Sequence, residues 1–159
     1  MSSKIGASVL GGLIAGVVFG TMMHMMMAPT PDGGEMPVIA MIGQIVGSPT
    51  VEVGWVYHLF NSAIIGAIFG WLLGNRVHNY TSGAGWGAAY GFAWWILGGL
   101  ILMPVMLGMA AFAPLTMPPM RMVAMGSLIG HLIYGVILGG TFAWFYHGAH
   151  HHPPAPARI

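Results

Sequence analysis

Residues 53–73 read VGWVYHLFNSAIIGAIFGWLL, a stretch that contains no charged side chain. A helix needs about 20 predominantly apolar residues to cross the hydrocarbon core of a bilayer. Three further segments have a similar length and character, and they are residues 6–27, 86–109 and 122–146. The sequence therefore predicts an all-α membrane protein built as a four-transmembrane-helix bundle.

The overall composition supports a membrane location. Of the 159 residues, 57% are hydrophobic and only 4% are charged, whereas a soluble domain carries about a quarter charged residues. The lipid bilayer is thus the first predicted partner. The net charge is only +1, and nucleic-acid-binding proteins need a clustered basic patch. Nucleic acid is therefore not a predicted partner. The absence of cysteine excludes disulfides and thiolate metal sites.

The connections between the predicted spans differ in length. The first, at residues 28–52, contains an apolar piece at 36–46 that is too short to span. It predicts a short helix that lies on the membrane surface or folds back over the bundle. Residues 75–85 predict a short polar turn. Pro104 predicts a kink or a loosened turn near the end of the third span.

Basic residues predict the orientation. Lys4, Arg76 and Arg158 fall on one side of the predicted topology, and Arg121 falls on the other. Because basic residues concentrate on the cytoplasmic side, both termini are predicted to be cytoplasmic. The expected location is the inner (plasma) membrane of a prokaryote.

The second and fourth predicted spans match at an offset of 73 residues. His58, Leu59, Ile64, Gly66, Phe69 and Trp71 correspond to His131, Leu132, Ile137, Gly139, Phe142 and Trp144. The first and third spans match more loosely, through small residues. We therefore predict one domain at 1–147 made of two parallel two-helix repeats, about 5–75 and 83–147. A His/Pro-rich cytoplasmic tail is expected at 148–159.

Small residues recur at every fourth position in the spans, which predicts close helix packing. The series are Gly12, Gly16 and Gly20; Ser62, Gly66, Gly70 and Gly74; Gly83, Gly87, Gly91 and Gly99, with Trp95 interrupting; and Gly135, Gly139 and Ala143. Continued outward by the same step, they reach His24, His58, Met103 and His131. These four residues form the candidate cofactor site, and Met23, Met26 and Met106 complete the candidate metal ligands.

Three interpretations of these histidines remain open. Neutral imidazoles bonded to backbone or to each other would tie the helix ends together without a cofactor. A b-type haem could lie between His58 and His131, or use His24 or Met103 as an axial ligand. Copper would take imidazole and thioether ligands.

The methionines are unevenly distributed. Apart from the initiator, all of them lie at the predicted outward ends of spans or in the outward loops. Thioethers select Cu(I), and copper reaches a bacterial membrane protein from outside. The other interpretation is a methionine-rich surface that docks onto a larger complex.

Two segments carry a family resemblance. GWVYHLFNSAIIGAIFGWLLG at 54–74 and GHLIYGVILGGTFAWFYH at 130–147 each follow an outer loop with a Met-Pro step. Over residues 6–147 the chain resembles a group of small four-span prokaryotic membrane proteins that has no established activity. The resemblance implies the same topology and the same tandem repeat.

The sequence also bears on function. It contains no carboxylate pair, Ser/His/Asp arrangement, Walker loop or HExxH motif, so we expect no enzyme activity. We expect a non-catalytic subunit or accessory protein of a redox or respiratory membrane assembly, which binds other membrane subunits or forms a homo-oligomer. The alternatives are a stand-alone copper-handling protein and a cofactor-free packing subunit.

Overall fold

The computed structural model describes residues 3–148, and the predicted tail lies outside them except for residue 148. In chain order the helices and strands are α1 (Lys4–Met25), β1 (Met27–Pro29), β2 (Glu35–Pro37), α2 (Val38–Gly43), α3 (Val51–Leu73), α4 (Tyr80–Trp94), a π-helical segment (Trp95–Leu102), α5 (Met103–Met106), α6 (Ala113–Thr116) and α7 (Arg121–Gly148). Short 3-10 turns occupy Gln44–Val46, Gly74–Arg76 and Pro118–Met120.

Four helices are long and apolar enough to cross a membrane, as predicted. The first span is α1, the second is α3 and the fourth is α7. The third span is continuous from α4 through the π-helical segment to α5. The first and the last described residues, Ser3 and Gly148, lie at one end of this bundle, which we call the terminal end. The longer first and third connections lie at the other, which we call the loop end.

Polar caps set where the spans begin. Ser3 Oγ accepts a hydrogen bond from the Gly6 amide at 2.9 Å. Asn79 and Ser82 form a reciprocal capping box, which satisfies amides that a helix start leaves unpaired. The third span therefore starts at Tyr80, within the segment that we predicted as a polar turn.

The four spans pack in the order second, first, fourth, third. The first span contacts the second and the fourth, and the third contacts the fourth. Glycines allow the backbones in these pairs to touch. A Cβ at Gly66 would collide with the Ser8 carbonyl, and one at Gly139 would collide with the Gly83 carbonyl. The predicted small-residue series therefore lie at helix–helix contacts.

The second and third spans touch mainly toward the terminal end. There the Phe69 ring contacts the Tyr90 ring at a centroid distance of 5.3 Å and the Phe142 ring at 5.8 Å. The Tyr90 hydroxyl also donates to the Ile65 carbonyl at 2.7 Å. Toward the loop end the two spans separate, and a cavity lies between them.

The third span changes its helical form earlier than predicted. The π-helical segment begins at Trp95, and Pro104 follows it in α5. Since proline has no amide hydrogen, the Leu100 carbonyl four residues earlier accepts instead from the Phe112 amide, at 2.6 Å. The Trp95 indole donates to the Ala124 carbonyl at 3.2 Å and ties this segment to the fourth span. π-Helical turns occur frequently at functional sites.

The first connection folds back over the loop end of the bundle. β1 and β2 form an antiparallel hairpin, which the sequence did not predict. α2 lies in the predicted apolar piece at 36–46, and all six of its residues are buried. A Cβ at Gly54 would collide with the Ile39 carbonyl, so α2 rests directly on the start of the second span.

Candidate functional site

A cavity of about 330 Å³ lies among the four spans and α2, toward the loop end. This volume falls at the lower end of the range for small-molecule sites, about 300–1,000 Å³. Most of its wall is apolar. Ile64 and Leu102 both line the cavity and are 43% and 44% exposed. The cavity therefore reaches the lateral surface of the bundle between the second and third spans.

Six of the seven predicted ligands line this cavity. They are His58, His131, Met23, Met26, Met103 and Met106. Three further methionines, Met41, Met109 and Met120, also line it. The helix periodicity explains part of this grouping, because Phe19, Met23 and Met26 follow at intervals of four and three on one face of the first span.

His58 bridges the first and second spans. Its Nε2 donates to the Gly16 carbonyl at 2.9 Å, and the absence of a side chain at Gly16 lets the two helices approach. A Cβ there would lie 2.5 Å from Ser62 Oγ. Since Nε2 is the donor, Nδ1 of the neutral ring is an acceptor, and no residue of the described chain bonds to it.

His131 bonds within its own helix. Its Nδ1 donates to the Ser127 carbonyl at 2.8 Å, so Nε2 of the neutral ring is an acceptor. No hydrogen bond to Nε2 occurs within the part of the chain that the structure describes. Gly99 of the π-helical segment lies opposite, where an added Cβ would be 3.5 Å from His131 Cε1. A histidine that binds a metal through one ring nitrogen usually donates the other ring N–H to a backbone carbonyl or a carboxylate.

Phe19 packs against both imidazoles. Its ring centroid lies 5.7 Å from that of His58 and 4.7 Å from that of His131, and the side chain is only 5% exposed. A haem ligated by both histidines would need its flat ring beside both imidazoles, in space that Phe19 fills. The residues present therefore do not fit a haem on this pair.

The structure does not bring His24 to the cavity. His24 is exposed, and its Nδ1 accepts a hydrogen bond from the Trp55 indole at 3.2 Å. The reason is geometric. The small-residue series that ends at His24 faces the second span, while Met23 and Met26 on the cavity face of the first span lie about 100° and about 160° away from it around the helix.

Asn61 and Tyr57 are polar cavity residues that the sequence analysis did not select. Both line the cavity from the second span, and they lie four residues apart on one helix face. Neither the Asn61 carboxamide nor the Tyr57 hydroxyl makes a hydrogen bond to another described residue. In contrast, the Tyr134 hydroxyl donates to the Ser62 carbonyl at 2.9 Å. Asn61 is the only Asn or Gln within the predicted spans, and this isolated carboxamide in an apolar segment could have identified it as a candidate site residue.

Within residues 3–148, no three side chains of the types His, Cys, Asp or Glu come close enough to hold a metal ion together. A metal at this cavity would therefore depend on thioethers as well as imidazoles. Comparison of the chain with protein-family models, curated proteins and solved structures finds no match.

Proposed function

We propose that the protein is a non-catalytic subunit or accessory protein of a redox or respiratory membrane assembly and that it holds Cu(I) in the cavity. The observation that carries this proposal is the grouping of donors around one cavity. Two imidazoles with an acceptor nitrogen each and several thioethers line the same space. Imidazole suits copper in general, and thioether selects its reduced form.

Copper binding is tested by titrating the purified protein with Cu(I) against a chromophoric Cu(I) chelator. We expect His131→Ala to weaken the affinity about tenfold or more, because it removes a ligand, and Met103→Leu to weaken it less. His24→Ala is the matched control, since His24 bonds to Trp55 outside the cavity. Equal losses in the His24 and His131 variants, or no Cu(I) binding by the native protein, would contradict the proposal.

The proposed orientation places the loop end outside the cell. Lys4 and Arg76 lie at the terminal end, where the Lys4 ammonium donates to Asn75 and the Arg76 guanidinium lies 5.2 Å from the Trp86 ring centroid. The excess of basic residues there favours a cytoplasmic position in a prokaryotic inner membrane. The cavity, with its methionines, would then face the side from which copper arrives.

Reporter fusions test this orientation. A fusion at Arg76 and one at the C-terminus should both report a cytoplasmic position, and a fusion at Asp32 should report an external one. The reason is the distribution of Lys and Arg. An external C-terminus would overturn the proposed topology, and with it the access of external copper to the cavity.

The tandem repeat and the partners are also proposals. The two helix pairs share a mode of packing, because the first and second spans meet at Gly12 and Gly66, and the third and fourth meet at Gly83 and Gly139. This similarity supports two parallel two-helix repeats. Met25 and Met122 are 78% and 79% exposed at the loop end. Flexible thioethers suit an adaptable contact with other membrane subunits.

A further inference from the structure

A second feature of the cavity points to a different ligand, and it does not depend on copper. The wall formed by the second span carries two polar groups, the Tyr57 hydroxyl and the Asn61 carboxamide, amid mostly apolar surroundings. Neither group bonds to a described residue. No fully buried side-chain nitrogen or oxygen in the described chain lacks a hydrogen-bond partner. The unpaired polar atoms of Tyr57 and Asn61 are therefore not fully buried, and a ligand can reach them.

Such polar groups are costly at membrane depth. An amide without hydrogen bonds in an apolar environment loses about 2–7 kcal/mol relative to water, and polar residues within transmembrane segments commonly mark functional sites. Tyr134 and Ser62, which lie nearby, show the structural alternative, since each hydroxyl donates to a backbone carbonyl. Asn61 and Tyr57 make no such bond within residues 3–148.

The lateral opening defines how a ligand could enter. Ile64 and Leu102 flank the gap between the second and third spans, and both are about two-fifths exposed on the face that lipid would cover. A ligand dissolved in the bilayer can therefore reach the cavity without crossing water. Its body must be apolar to match the walls, and its head must carry oxygen atoms to match Tyr57 and Asn61.

We propose that the cavity binds the head of a membrane-soluble quinone-class lipid, whose carbonyl oxygen accepts hydrogen bonds from the Tyr57 hydroxyl and the Asn61 amide. The apolar tail leaves between Ile64 and Leu102. Of the proposed copper ligands, His58 lies on the second span beside Tyr57, and the others come from the first, third and fourth spans. The two ligands would therefore share the cavity but use different side chains. A quinone-class ligand also suits an accessory protein of a redox assembly.

The test measures the thermal stability of copper-free protein in nanodiscs, with a chelator present, as decyl-benzoquinone is added. A ligand that binds only the folded state raises Tm in a concentration-dependent manner. Decylbenzene, which has the same tail and no oxygen, is the matched ligand and should need at least about tenfold higher concentration for the same rise. Equal shifts from the two compounds would show plain lipid partitioning and overturn the proposal.

Variants locate the binding site. Asn61→Leu should raise the quinone concentration for half of the maximal shift about fivefold or more, and Tyr57→Phe should raise it two- to tenfold, as expected for single neutral hydrogen bonds. Without ligand, the Asn61→Leu protein should be at least as stable as the native protein. A large fall in its stability would show that Asn61 has a packing role instead, and native quinone affinity in both variants would contradict the proposal.

A blocking variant provides an independent check. A Cβ at Gly98 meets only Trp94, at 3.7 Å, so Gly98→Leu has room to fold and places its side chain at the cavity wall. We expect it to abolish the quinone-dependent shift. Gly140→Leu is the matched control, because no atom lies within 4 Å of its Cβ and Gly140 does not line the cavity. Both Asn61→Leu and Gly140→Leu should keep native Cu(I) affinity, so failure of the copper proposal would be seen separately from failure of this one.

Discussion

Replacing Gly139 with leucine should prevent the bundle from assembling, or lower its stability by about 3 kcal/mol or more. The Cβ alone would collide with the Gly83 carbonyl, and the nearest atoms of the third span are backbone atoms that cannot rotate away. The third and fourth spans would have to move apart along their whole contact, which glycines maintain at three successive turns. Gly139→Ala should show a smaller loss in the same direction. The measurement is unfolding in mixed detergent micelles, followed by circular dichroism.

The adjacent residue provides the control for this prediction. Gly140 is in the same helix, and nothing lies within 4 Å of its Cβ. Gly140→Leu changes the intrinsic helix propensity by the same amount as Gly139→Leu, but the new leucine side chain would not meet the third span. It should therefore be neutral or slightly stabilising, since glycine is a poor helix former. If the two leucine variants were equally stable, the small-residue series in the fourth span would not be a packing face.

The transmembrane helices were predictable because length and apolar composition decide them. Residues 53–73 contain no charge and are long enough to cross a bilayer, and the structure has a helix there. The predicted start of the third span, at residue 86, was wrong. The helix begins at Tyr80, because a capping box at Asn79 outweighs the polar composition of the residues that follow. The π-helical segment has no counterpart in the hydrophobic pattern, since a period near four does not distinguish it from an α-helix.

Helix periodicity predicted only part of the candidate site. Extending the small-residue series outward assumes that the packing face and the cavity face of a helix coincide. For His58 and His131 the assumption holds, because both residues lie next to a neighbouring span as well as the cavity. For His24 it fails, because the first span turns that face toward Trp55. Phe19 could not be identified beforehand, since an apolar aromatic residue inside a membrane span carries no local signal.

Phe19→Ala should produce the second large effect. The ring is 5% exposed, contacts both imidazoles, and fills the space beside Gly130, where an added Cβ would collide with it. Removing a buried phenylalanine side chain costs about 3–5 kcal/mol, because packing contacts are lost and the neighbours relax only partly. We expect the midpoint of unfolding to fall accordingly, in the same detergent assay.

This variant also tests why the two histidines do not fit a haem. With native Phe19, adding haem to the purified protein should not give the spectrum of a bis-imidazole complex, because the Phe19 ring fills the space next to His58 and His131. In Phe19→Ala that space joins the cavity, and only this variant should allow haem to bind between the histidines. Phe60→Ala is the matched control, since Phe60 is 62% exposed on the second span and its removal should change neither stability nor haem binding appreciably. A bis-imidazole haem spectrum in the native protein would show that Phe19 moves aside, and would restore haem as a candidate cofactor bound by His58 and His131.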